Sequence, residues 1–312
     1  IYVAIRRPDM STPTVASEVF SIDSQGSSAP YFDSTHIVDM ALVRPVGSGG
    51  SGGGGAFNYA RLIGEKYLKT SSTAAEANAS EAGFDFMNGH IDQNWGGTNT
   101  YSWMWKRAKG YFDVVAYSGT GSGSQNVNHS LGVTPEMMWI KVRSDTDNWV
   151  VYHSALGNTK RLMLNSSDGP SSANSIFFNN TTPTSSVFTA GSLINASQNY
   201  IAYLFATVAG VSKVGTYTGD GSAGKVIDCG FTNGAKFVLI KELTDSHNWY
   251  VFDTTRGISS GNDPYFFLNT NDAENDQNDS IDPDSSGFAV NYALTNSNGE
   301  TYIFYAIATD PS

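Results

Sequence analysis

Short apolar runs rich in Val, Ile, Phe, Tyr and Trp recur along the chain, each bounded by Gly, Asn, Asp or Ser. This is the pattern of β-strands joined by turns. Over the last third it predicts strands at Ser212–Thr218, Val226–Phe231, Lys236–Glu242, Trp249–Asp253, Tyr265–Asn269, Phe288–Asn291 and Tyr302–Ala308. About seven strands per 100 residues suit a β-sandwich. Two runs, Trp249-Tyr250-Val251-Phe252 and Tyr302-Ile303-Phe304-Tyr305-Ala306-Ile307, lack polar alternation, which predicts cover on both faces. The one helix expected is Ala74–Ala82, short but of good propensity.

The pattern repeats with a period of 100 residues. Tyr117-Ser118-Gly119-Thr120-Gly121-Ser122 returns as Tyr217-Thr218-Gly219-Asp220-Gly221-Ser222, and Asn148-Trp149 returns as Asn248-Trp249. Tyr200-Ile201-Ala202-Tyr203 matches Tyr302-Ile303-Phe304-Tyr305 with a slip of two residues. A more divergent copy comes first: Asp39 to Arg44 matches Glu136 to Lys141, and Tyr101 to Trp105 takes the place of Tyr302 to Ala306. The fold class expected is therefore all-β, as three tandem β-sandwich-like repeats of about 100 residues, at 1–109, 110–209 and 210–312. Ile1 to Arg7 reads as the closing strand of a preceding unit, which makes the chain a fragment of a longer protein. The Gly/Ser run 47–55 sits where the second unit has Ser144–Asn148 and reads as a flexible, solvent-reaching loop.

Composition narrows the function classes. Of 312 residues only 15% are charged, while 40% are hydrophobic and 12% aromatic, so cores can form and disorder is excluded. A net charge of −11 without a Lys/Arg cluster argues against nucleic acid as a partner. No apolar run approaches the length of a membrane-spanning helix. The lone cysteine, Cys229, cannot form an internal disulfide and reads as a small buried hydrophobe.

Candidate chemistry is sparse. The Asn-Trp pairs Asn148-Trp149 and Asn248-Trp249 are candidate glycan contacts, the indole stacking on a sugar and the amide bonding its hydroxyls. Against this, each Trp heads a strongly apolar strand, which favours the core. Asp272, Glu274, Asp276 and Asp279, with Asp282 and Asp284 nearby, form a candidate calcium loop, set against a plain solvated acidic loop, since their spacing is not that of an EF-hand. The histidines His36, His90, His129, His153 and His247 show neither metal spacing nor the order of a triad. No catalytic residue is expected, and no cofactor beyond that calcium.

Taken together, Gly110 to Gly121, Asn128 to Met137, Asn148 to His153, Ile281 to Phe288 and Thr301 to Ala308 resemble a tandem β-repeat domain of tail fibre or virion appendage proteins of tailed bacteriophages, many of them marine or cyanobacterial. The resemblance implies a non-enzymatic structural and adhesive module in an extracellular phage particle. Its expected partners are other virion proteins and a host surface glycan or receptor. The alternatives are a carbohydrate-binding or polysaccharide-depolymerising protein and a capsid-decorating fibre. The two-sided apolar load of the closing strands calls for a second cover, either from neighbouring units in a pseudo-threefold cluster or from other chains in a homotrimer.

Overall fold

The computed structural model describes residues 10–46, 55–94, 99–244, 246–291 and 293–310. Ile1 to Arg7 and residues 47–54 of the glycine-rich run lie outside them. The fold is all-β and antiparallel, with three principal sheets. The first runs Phe20–Ser24, Thr100–Trp105, Met40–Pro45, Phe57–Ala60, Lys66–Lys69 and Ala77–Asn78 in spatial order. The second runs Phe112–Ser118, Asn199–Phe205, Met137–Val142, Val150–His153, Lys160–Met163 and Ser171–Ser172. The third runs Ser212–Thr218, Thr301–Ala308, Ala235–Glu242, Trp249–Asp253 and Phe266–Phe267.

Strand order and register correspond across the three sheets. Met40 faces Trp105 and Ala60, Met137 faces Phe205 and His153, and Phe237 faces Ile307 and Asp253. Tyr117 pairs with Tyr200 and Tyr217 with Tyr302. The slip of two residues in the sequence is thus absorbed before the closing strands, and their pairing is preserved.

Strand alternation sends the two faces of the first and second sheets to different cores, while both faces of the third belong to one continuous core. In the second sheet Met137, Trp139, Trp149, Val151, Ile201, Tyr203 and Phe205 point to a core shared with Leu42, Trp103, Trp105, Phe237, Leu239 and Tyr305 of the other sheets. Met138, Ile140, Tyr152, Ala202 and Leu204 point the other way, under the small sheet of Gln125–Asn128 and Val187–Ala190. The first sheet is covered outside by Phe32–Asp33 and Gly89–His90, the third by Lys225–Asp228, Gly287–Val290 and Ile281–Asp284. Each closing strand is therefore buried on both faces within one chain, so its aromatic load needs no second chain.

The expected helix at Ala74–Ala82 is not formed. Ala77–Asn78 is a short edge strand on Lys66–Lys69. The Glu76 N–H bonds the Arg143 carbonyl at 2.8 Å, so pairing outside the segment outcompetes a short local helix. Short helices form instead at Asn174–Phe178 and Ala293–Asn296. The expected strand Tyr265–Asn269 contracts to Phe266–Phe267. Ile281–Asp284 was hidden by Pro283, which an edge strand tolerates.

The repeated Gly-x-Gly turns have a steric cause. A Cβ at Gly119 would lie 1.8 Å from the Ala196 carbonyl oxygen, and one at Gly219 would lie 2.1 Å from that of Ser297. Gly121 and Gly221 have φ of 81° and 72°. Asn195, fully buried, accepts the Thr120 N–H at 2.9 Å and donates to Thr120 Oγ1 at 2.8 Å, and Asn296 does the same for Asp220. Gly119→Ala and Gly219→Ala should each destabilise the protein by more than about 1 kcal/mol in urea titrations, and equal midpoints for wild type and variant would refute the steric account.

Candidate functional site

The sequence-selected tryptophans sit at the joints between sheets. Trp149 and Trp249 are both 0% exposed. The Trp149 indole N–H donates to the Lys69 carbonyl of the first sheet at 2.9 Å, and Trp249 donates to Met163 of the second at 3.1 Å. With no face open to solvent, neither ring can stack on a glycan, so the candidate glycan contacts give way to the core role that their apolar strands favoured. Asn148 and Asn248 serve the same joints. Asn165 Nδ2 donates to Asn148 Oδ1 at 2.8 Å while Asn165 Oδ1 accepts the Trp149 N–H at 2.8 Å. Asn269 repeats this between Asn248 and Trp249, at 2.7 and 2.9 Å. Asn165 and Asn269 were missed by sequence reasoning, although both follow the repeated leucines Leu164 and Leu268.

Beside each indole lies a buried cation. Lys141 and Lys241, each 0% exposed, donate to the Thr73 and Ser167 carbonyls of the adjoining sheet, both at 3.0 Å. In the first sheet the equivalent residue is Arg44, 1% exposed, and the position of Trp149 and Trp249 is taken by Ala56. The Arg44 guanidinium substitutes for both missing donors. It reaches the Phe267 carbonyl at 2.9 Å, where the indoles bond in the other joints, and also the Thr270 and Asp272 carbonyls, and it stacks on Phe266 at 4.6 Å. The joints thus run cyclically: first sheet to third, third to second, second to first.

Burial pushes the Lys141 and Lys241 ammonium groups down to about 8. Between there and 10.5 the unfolded chain holds more protons than the folded one, so these lysines make stability rise with pH. We expect unfolding free energy to increase from pH 8 to 9.5 in wild type but not in a Lys141→Met/Lys241→Met double variant. A slope unchanged in the variant would refute the assignment.

The acidic loop is dispersed by structural bonds. Glu274 pairs with Arg256 at 2.7 Å, and Asn291 Nδ2 bonds Asp279 at 2.8 Å and Asp282 at 2.7 Å. Asp276 accepts from the neighbouring Gln277, and Asp272 offers its backbone carbonyl to Arg44. The fold does not gather Asp272, Glu274, Asp276 and Asp279, and among the described residues no three metal-ligating side chains converge.

Two Ser–His contacts arise from residues far apart in sequence. His36 Nε2 lies 3.1 Å from Ser21 Oγ and its Nδ1 3.1 Å from the Ile37 carbonyl oxygen; His90 Nε2 lies 2.7 Å from Ser102 Oγ. Burial pushes His36 down to about 4 and His90 to about 3, so both stay neutral and are weak bases. His90 is sandwiched by Phe32 and Phe84, the arrangement of a packed core group. Burial raises the Cys229 thiol to about 12, which suppresses thiolate chemistry.

A cleft of about 510 Å³ lies beside the first sheet, with Glu18, Val19, Ile37, Asp39, Lys106 and Arg107 on its walls. Asp39 accepts the Arg107 N–H at 2.7 Å, the Arg107 guanidinium pairs with the buried Asp113, and Glu18 accepts the Thr14 N–H at 3.0 Å. These bonds fasten Glu18, Asp39 and Arg107 into the cleft wall.

No curated protein and no solved structure matches the chain. One family matches, over residues 63–311, from the hairpin of the first sheet to the end of the third. The chain therefore belongs to the family described as Domain of unknown function (DUF7483).

Proposed function

We propose that the protein is a non-enzymatic structural and adhesive module of a bacteriophage virion appendage, a tail fibre or host-attachment protein of the extracellular particle. The observation that carries this reading is the use of its buried polar groups. Arg44, Lys141 and Lys241 tie one sheet to the next through backbone carbonyls, and Arg107 and Arg256 neutralise the buried Asp113 and Asp253. Such groups hold a body rigid. The three corresponding sheets fit a module grown by tandem repetition, and the turns and outer strands are the surfaces left for virion proteins or a host glycan. Immunogold labelling of purified particles, with antibodies against this chain, tests the proposal. Label on the tail or fibres is expected. Label absent from the particle, with the chain found in infected cells, would overturn it.

A further inference from the structure

At one position of the central core all three closing strands carry a polar aromatic side chain. Trp103, Tyr203 and Tyr305 stand opposite Leu42, Trp139 and Leu239, which correspond in register. Two of the three bond across a joint. The Trp103 indole N–H donates to Asp253 of the third sheet at 3.1 Å, and the Tyr203 hydroxyl donates to Asn58 of the first. The cyclic order of the joints sends Tyr305 towards the second sheet, where its ring meets Phe205 at 5.1 Å. No carboxylate or amide receives it there: among the described residues no protein group is placed to bond the buried Tyr305 hydroxyl. Two more buried donors share this place. Tyr111, whose carbonyl accepts the Ala206 N–H at 3.0 Å, leads into the second sheet, and Trp105, at the end of the closing strand of the first, meets Phe237 edge-on at 5.6 Å beside Tyr305. The Tyr111 hydroxyl and the Trp105 indole N–H are likewise buried and bonded to no protein group. The three lie within reach of one another. Burial raises both phenols above their ordinary range, Tyr305 adds to the rise at Tyr111, and Tyr111 and Trp105 oppose it at Tyr305. No charged side chain contributes at either phenol.

The protons of this cluster do not balance without a further acceptor. One indole N–H and two phenol O–H groups face two phenol oxygens. Only one proton fits along the line between two hydroxyls, so whichever way the phenols turn, one O–H is left over, at a cost in an apolar core. We infer that one ordered water molecule is bound where the three sheets meet, held by Trp105 Nε1, Tyr111 Oη and Tyr305 Oη. The water accepts the Trp105 and Tyr111 protons and donates to the Tyr305 oxygen, and the Tyr305 proton turns to the Tyr111 oxygen. Three polar partners are the usual complement of a buried water, and an uncharged lining suits water over an ion. The molecule supplies Tyr305 with the partner that Asp253 and Asn58 provide at the corresponding positions, and it ties residues of all three sheets together.

A crystal structure of the intact chain, at a resolution that shows ordered water, is the test. One water oxygen should lie within about 3 Å of all three atoms. In solution, magnetic relaxation dispersion of the water oxygen counts long-lived internal waters. Tyr305→Phe keeps the ring and its packing but removes one of the three partners, so it should hold one long-lived water fewer than wild type. Tyr217→Phe is the control: its hydroxyl bonds the Thr295 carbonyl directly, and its loss should leave the count unchanged. Phenols bonded only to each other with no such oxygen, an ion in its place, or an equal water count in Tyr305→Phe and wild type overturns the inference.

Discussion

Trp249→Ala is expected to lower the free energy of unfolding by about 3–5 kcal/mol, the cost of emptying a fully buried aromatic site. The loss has two parts. A large cavity opens in the central core that Trp249 shares with Val251 and Leu268, and the Met163 carbonyl loses its indole donor. Trp249→Phe should recover most of the packing but not the hydrogen bond. Its deficit should be smaller, and the difference between the two variants measures the cavity. Guanidinium titrations followed by tyrosine and residual tryptophan fluorescence would check this. A change below about 1 kcal/mol for Trp249→Ala, with glycan binding lost in its place, would return Trp249 to the role of a sugar platform.

Acid should unfold the protein through its histidines. Burial lowers His36 and His153 to about 4 and His90 to about 3, from 6.5. In that window the unfolded chain binds protons that the folded chain refuses, so stability falls as pH drops from 6.5 towards 4. At 1.36 kcal/mol per pH unit for each proton, three such groups amount to a loss on the order of 5 kcal/mol or more by pH 4. The slope of unfolding free energy against pH should correspond to an uptake approaching three protons near pH 5. Asp220, held below the usual carboxylate range by hydrogen bonds from Ser222 and Asn296, acts in the same direction at lower pH. An uptake below one proton between pH 6 and 4.5 would mean that these histidines are hydrated in the folded chain.

The strand pattern was legible because strand alternation and turn residues act locally. Ser212–Thr218 and Trp249–Asp253 fall where the apolar runs place them. Ala74–Ala82 was misread because helix propensity is a weak local preference. The Glu76 bonds to Arg143 come from residues remote in sequence. The two readings of the tryptophans could not be separated in the sequence for a similar reason. Whether a tryptophan stacks on a ligand or plugs a joint depends on what stands opposite, and Lys69 and Met163 lie 80 and 86 residues away.

By itself the sequence determined that the chain is all-β, where most strands lie, and that its closing strands need cover on both faces. These follow from side-chain period, turn chemistry and apolar load, all properties of neighbouring residues. Tertiary structure alone decided that the cover comes from within the chain, that Arg44 stands in for a tryptophan and a lysine together, and that the acidic loop is spread among Arg256, Asn291 and Gln277. Those outcomes rest on burial and on hydrogen bonds between distant segments, whose energies depend on an environment that exists only once the three sheets have closed on one another.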